Sequence, residues 1–384
     1  MQGGGRFLFC AAFVAAALSV CADSAIRWGR AIDLGPGLYG RVHRLADGRF
    51  MAAYEKDGGI VARFATRGNL RDWSEEKVVA KGFVATNGAA SVRVGLSNPE
   101  FAQLASGRII YACNLRPQEW RHDIHPCAIA LSTSDDGGQT WSALRTVYAP
   151  VPAMPVDGHP HGCYEPFVLP LRGGKAQIYF ADETPYASAK CAWQNISFIE
   201  TSDNGQTWGR AKIAAFTPER RDGMPVVLDD GLWRYLAIET NPGQTKLHPQ
   251  IVRMRVAAAG QQTVLAPSPD RFDPFAQPRN WQEVYGGAPY LIATEKYLLL
   301  SWQEHEEEDS EERTIARVAF VPKKEIKQGR FTTMRGISSP PPSPEAGDGM
   351  RWNSLCAVEN DVFLLVTQNN GRIVLYPGRI ERIK

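Results

Sequence analysis

Glu165 and Glu239 are the two carboxylates of this chain whose settings best suit acid–base work. Glu165 lies in Cys163-Tyr-Glu-Pro-Phe167, and Glu239 ends the apolar run Tyr235-Leu-Ala-Ile-Glu239, which anchors it on a rigid strand. Two carboxyl groups flanking one bond are what hydrolysis of a glycosidic linkage requires. Their spacing is about 5–5.5 Å when configuration is retained and about 6.5–9.5 Å when it is inverted. One of the two must keep its proton while the other stays ionised, and their surroundings must create that difference. The competing reading is that one glutamate only holds an arginine in place, in which case Asp182, Glu183 or Asp222 would substitute for it. Arg41, Asn98, Asn114, Arg116, Tyr164, Asp182, Arg221, Asp222, Tyr285, Arg351 and Asn353 form a polar set suited to a ligand with many hydroxyls. Trp193 and Trp352 are the aromatic faces on which a sugar ring would stack.

These residues need a scaffold that brings them to one place, and a repeat in the chain supplies it. Ser134-Asp-Asp-Gly-Gly-Gln-Thr-Trp141 and Thr201-Ser-Asp-Asn-Gly-Gln-Thr-Trp208 share one pattern, and their starts are 67 residues apart. A worn copy, Thr66-Arg-Gly-Asn-Leu-Arg-Asp-Trp73, begins 68 residues before the first. Such a motif builds a tight turn: the aspartate accepts turn N–H groups, the glycine takes a positive φ, and the tryptophan covers the turn. A fixed period of this length marks a repeat architecture. Innermost strands are expected at 42–45, 100–104, 166–169, 225–228, 289–293 and 354–358, each followed by a second strand. The second strands fall at 50–54, 109–113, 177–181, 233–238, 297–302 and 362–366. Six such units predict an all-β, six-bladed propeller of four-stranded antiparallel blades over residues 23–384, with 26–34 closing the ring against the last blade. The turn aspartates Asp136 and Asp203 then lie on the rim opposite the glutamates and are structural. The charged run Glu304-His-Glu-Glu-Glu-Asp-Ser-Glu-Glu-Arg313 is expected to be a solvated hairpin tip in the fifth blade.

The repeats resemble the Asp-box (BNR) repeats of the sialidase-like superfamily. Within it, Tyr164-Glu-Pro-Phe167, Gln177-Ile-Tyr-Phe-Ala-Asp-Glu183, Arg221-Asp-Gly-Met-Pro225 and the strand ending at Glu239 resemble the exo-α-1,5-L-arabinanases of glycoside hydrolase family 93. Asn114-Leu-Arg-Pro117 and Gly286-Gly-Ala-Pro289 fit the same picture. The resemblance implies a retaining, exo-acting hydrolase of linear arabinan or a related plant or glycan oligosaccharide, with Glu165 as general acid/base and Glu239 as nucleophile. A second reading is an exo-α-sialidase, with Arg41, Arg221 and Arg351 gripping the substrate carboxylate and Tyr285 as nucleophile backed by Glu239. Against it, Gly40-Arg-Val-His43 stands where sialidases carry Arg-Ile-Pro. A third is a carbohydrate-binding propeller without catalysis.

Bulk properties narrow the partners. Lys and Arg number 43 against 41 Asp and Glu, so no nucleic-acid partner held by phosphate contacts is expected. Arg6, the apolar run 7–18 and the small residues after it read as a secretory signal over 1–22, too short for a membrane span of about 20 apolar residues. A secreted or periplasmic monomer acting on an oligosaccharide or polysaccharide is the expectation. Beyond the leader the chain keeps five cysteines, Cys113, Cys127, Cys163, Cys191 and Cys356, an odd number that leaves at least one thiol free. His122 and His125 with Cys127, and His159 and His161 with Cys163, have metal-ligand spacing. Loop histidines that bind sugar hydroxyls or pack are the commoner case, so neither metal nor cofactor is expected.

Overall fold

The structure, a computed structural model, describes residues 24–382 apart from 67, 151–160, 187–192, 243–244, 259–261, 278, 306–313 and 342–348. Six sheets, antiparallel but for one short parallel pairing at the outer edge of the third, follow one another along the chain. Their innermost strands are Leu38–Arg44, Ala90–Gln103, Cys163–Pro170, Asp222–Asp229, Tyr285–Ala293 and Met350–Glu359. Each packs against the next, and the sixth returns to the first, so the sheets are blades around a channel. The second strands are Phe50–Lys56, Ile109–Pro117, Ala176–Asp182, Trp233–Thr240, Tyr297–His305 and Val362–Asn369. Middle strands are covered on both faces by neighbouring blades, which is why Phe50-Met-Ala-Ala-Tyr54 is buried at every position instead of alternating. The expected six-bladed propeller is thus the fold observed, with four strands in three of the blades and five in the other three.

The ring closes where the sequence placed the closure, though with two short strands in place of one. Ser24–Trp28 and Ile32–Pro36 both pair antiparallel with the last strand, Arg372–Arg382. Trp28 secures the join by stacking edge-on against Phe363 and donating its indole N–H to Ser338 Oγ in blade five. The two repeat turns join third and fourth strands in blades two and three. In each, one carboxylate collects the turn: Asp136 accepts from the N–H groups of Gln139 and Thr140 and from the hydroxyls of Ser134 and Thr140. Asp203 repeats the pattern with Gln206, Thr207 and Thr201. These bonds hold both carboxyls well below the ordinary range. The charged run behaves differently from expectation at its first residue. Glu304 is 2% exposed, accepts the Trp302 indole N–H at 3.0 Å and pairs with Arg279 and Arg317. It is a buried blade residue because it continues the second strand; residues 306–313 lie outside those described.

A sixfold device in the innermost strands positions the site. Each strand slips register once near its start, between Leu38 and Arg41, Ser97 and Glu100, Tyr164 and Phe167, Gly223 and Val226, Gly287 and Tyr290, and Arg351 and Ser354. The residue at each slip has a left-handed backbone: Tyr39, Asn98, Glu165, Met224, Ala288 and Trp352, with φ between 46° and 57°. Such bulges bend a strand and re-aim a side chain. Four of the six precede proline, which lacks the N–H a regular ladder would need and is tolerated at a bulge.

Candidate active site

The six bulge residues meet where the blades converge. Tyr39, Met224 and Ala288 form a buried apolar cluster against which Trp352 packs, while Asn98 and Glu165 supply the two polar members of the ring. The channel mouth therefore has an apolar floor on the side of blades four, five, six and one, and a polar edge on blades two and three. A sugar ring, with a C–H face and a hydroxyl rim, has that same division.

One residue of each second strand stands opposite the residue before the bulge: Glu55, Asn114, Ala181, Glu239, Gln303 and Gln368. At three of these positions the side chain accepts the bulge N–H of the next blade. Asn98 N–H donates to Glu55 at 2.7 Å, Ala288 N–H to Glu239 at 2.8 Å, and Trp352 N–H to Gln303 at 2.7 Å. In blade three the position is Ala181, which has no acceptor. The N–H of Met224 donates instead to Glu165, at 3.0 Å. Both sequence-selected glutamates are thereby fixed by backbone donors of an adjoining blade, and both are half-buried.

Electrostatics couples them. Burial pushes Glu239 up to about 7, and the charge of Glu165 adds to the rise. Burial also raises Glu165, against the lowering pull of the Met224 N–H and of Arg116, Arg221 and Arg41. Two carboxyls whose charges oppose each other in this way share protons as a pair. Arg221 stands between carboxylates: its guanidinium donates to Gln194 at 2.8 Å, lies 3.5 Å from Glu183 and lowers both members of the pair. Glu183 is itself raised by burial and accepts the Gly162 N–H. Two glycines leave room for Glu239. A Cβ on Gly223 would lie 3.2 Å from its Oε1, and one on Gly287 would lie 2.9 Å from its Oε2. The Tyr285 hydroxyl is closer still to that second point, so it lies less than twice 2.9 Å from the carboxylate. Gln303 donates to the same hydroxyl at 3.3 Å.

Of the other sequence-selected residues, Asn98, Arg116, Tyr164, Tyr285, Arg351 and Trp352 lie at the mouth, on or beside the bulges. Of the remaining six, five do not present themselves to a ligand. Asp222 is 0% exposed, held by both terminal nitrogens of Arg271 at 2.9 Å and by the hydroxyls of Thr217 and Thr240; it ties blade four together. Asp182 is buried, bound by the Tyr148 hydroxyl and the Thr184 N–H. Asn114 spends its amide N–H groups on the carbonyls of Ala128 and Cys163. Asn353 is 1% exposed. Arg41 is 3% exposed under the Tyr39 ring, donates to the carbonyls of Gly40 and Trp352, and lies 3.4 Å from Glu100. Trp193 packs in an aromatic group with Tyr186 and Phe216. The residues that sequence reasoning missed are the apolar ring members Tyr39, Met224 and Ala288, and the recurring residue-before-proline in innermost strands was the signal that could have located most of the ring.

No three histidine, cysteine or acidic side chains group as metal ligands among the described residues. His122 Nε2 and Cys127 Sγ are 3.6 Å apart, Cys113, Cys127, Cys163 and Cys356 are free thiols, and His159 and Cys191 lie outside the described residues. Burial pushes the Cys127 thiol up to about 12, so it is a poor nucleophile or ligand at neutral pH.

The fold is that of the sialidase-like propellers, all-β and six-bladed. Solved structures that share it include an α-L-arabinofuranosidase of Fusarium graminearum in complex with an iminosugar inhibitor, at 15% identity and TM-score 0.63 over 92% of this chain and 98% of that one. An α-L-arabinanase of Penicillium chrysogenum complexed with arabinobiose matches at 16% identity and TM-score 0.63, over 91% and 98% of the two chains. A Hadza microbial sialidase matches at 12% identity and TM-score 0.55, over 91% and 66%. No family model and no curated protein matches the sequence. At these identities the likeness is one of fold.

Proposed function

We propose that this protein is a retaining, exo-acting glycoside hydrolase of α-L-arabinan or a related neutral oligosaccharide, exported by its leader. The observation that carries the reading is the pair Glu165 and Glu239, each held by a bulge N–H of the next blade and each raised in proton affinity at one mouth. In the first step Glu239 Oε attacks the anomeric carbon as Glu165 gives its proton to the departing glycosidic oxygen. The C–O bond electrons go to that oxygen, and a glycosyl ester forms on Glu239. In the second step Glu165, now ionised, takes a proton from water; the water oxygen displaces the ester and releases the sugar with its configuration retained. Positive charge developing at the anomeric carbon favours the ionised form of Glu239, so the shared proton resides on Glu165 when it is needed. The substrate class follows the α-L-arabinanase and α-L-arabinofuranosidase that share this fold, which sialidases share as well.

The sialidase reading draws on one specific observation, the Tyr285 hydroxyl beside Glu239. The burial of Arg41 counts against it, because that guanidinium already serves two carbonyls and Glu100. The deciding test is sugar release from linear arabino-oligosaccharides and from a sialyl-oligosaccharide, with wild type and Glu239→Gln side by side. The expected result is arabinose-containing product that falls about 10³-fold or more in the mutant, the size of effect seen when a group that acts in the transition state is removed. Release from the sialyl substrate alone would replace the reading with its rival, and turnover unchanged in Glu239→Gln would remove the catalytic pair.

A further inference from the structure

Between blades one and two, next to the mouth, runs a cleft of about 470 Å³ whose walls include Leu38, Glu55, Arg116 and Trp120. Trp120 is 51% exposed, the one tryptophan among the large apolar side chains that stand exposed in the described residues. Its position is held. Glu119 and Trp120 are consecutive left-handed residues with φ of 54° and 52°, and His122 stacks beneath the indole at 5.8 Å and 17°. Left-handed backbone at non-glycine residues is costly and persists where the surroundings over-determine it, most often at ligand sites. The Arg116 guanidinium lies 5.8 Å from the indole ring, its Nη2 reaches Asn98 at 3.4 Å, and its buried Nε has no protein acceptor. Glu55 contributes a carboxylate that burial raises and that Arg116 and Arg41 pull back down.

We infer that this cleft is the subsite for the leaving-group sugar of the oligosaccharide, with Trp120 as its stacking platform and Glu55 and Arg116 as its hydroxyl-binding edge. The inference rests on the catalytic reading of Glu165 and Glu239. Its direction comes from the order of the blades: the cleft lies between blades one and two, blade three with Glu165 comes next, and blade four with Glu239 lies farther round the ring. The cleft therefore lies on the side of the residue that protonates the leaving oxygen and not on that of the residue that attacks the anomeric carbon. An aromatic face with a mixed carboxylate and guanidinium rim suits a neutral polyol, since it offers both donors and acceptors and no net charge to repel.

The test combines kinetics with binding. For wild type, Trp120→Ala and Trp120→Phe, kcat and KM are measured on arabinotriose and longer linear arabino-oligosaccharides, and on α-L-arabinofuranosyl fluoride, which has no leaving sugar. Trp120→Ala is expected to raise KM for the oligosaccharides about tenfold, to leave the fluoride unchanged, and to be largely rescued by Trp120→Phe. In parallel, calorimetric binding of the same oligosaccharides is measured to Glu239→Gln with and without Trp120→Ala. Oligosaccharide KM and binding indifferent to Trp120 would overturn the subsite, as would an equal loss on the fluoride. Absence of all turnover with binding that still depends on Trp120 would remove the catalytic reading and keep the cleft as a sugar site. Absence of both turnover and binding would overturn the two together.

Discussion

At the scale of single residues, the site depends on a carboxyl that is uncomfortable where it stands. Glu239 is raised from an ordinary value of 4.5 to about 7, first by burial and then by the Glu165 charge. Between those two values the folded protein holds a proton that the unfolded chain has released. Stability therefore falls as pH rises through that window and is fully present below it. Glu239→Gln keeps an oxygen for the Ala288 N–H and has no charge to bury. Thermal unfolding should show the mutant more stable than wild type at pH 8, by about 1–3 kcal/mol, with the difference vanishing near pH 4. A mutant no more stable at pH 8 would mean that the carboxylate is adequately solvated in the folded state. Residue-scale placement was also where sequence reasoning was weakest. Asp222 and Glu165 both begin innermost strands, yet one is sealed within its blade and the other faces the mouth. Successive residues of a strand point to opposite faces, so a single slip of register decides which side a carboxylate takes.

At the scale of elements, that slip is the bulge repeated six times. The blades themselves were legible: apolar runs separated by turn residues, and a turn motif at a fixed period, place all six inner strands. The bulges were not, because a register shift is a property of two paired strands and leaves only the residue-before-proline as its trace in one. The glycines beside the bulges make the element testable. A Cβ on Gly287 would press on both Glu239 Oε2 and the Tyr285 hydroxyl while the strand it sits in continues to pair. Gly287→Ala should lose about 10²-fold or more in kcat/KM, as expected for a catalytic group displaced by roughly 1 Å. Its melting temperature should move by only a few degrees, so steady-state kinetics and a thermal melt on one preparation separate misplacement from unfolding.

At the scale of the whole molecule, the ring holds because its two ends are sewn together. Trp28 joins the strand Ser24–Trp28 to Phe363 in blade six and to Ser338 in blade five. Replacing this partly buried indole with alanine should cost about 2–4 kcal/mol, measured as a lower midpoint in urea unfolding, with kcat near that of wild type below the transition. An unchanged midpoint would show that Ile32–Pro36 alone suffices to close the ring. The closure also orders events in time. Asp33 pairs with Val374, and its carboxylate binds Arg372 across 339 positions of chain. During synthesis the early strands must wait, unpaired on one edge, until almost the entire polypeptide has emerged. Such late, distant pairing makes completion slow and leaves a sticky edge exposed meanwhile.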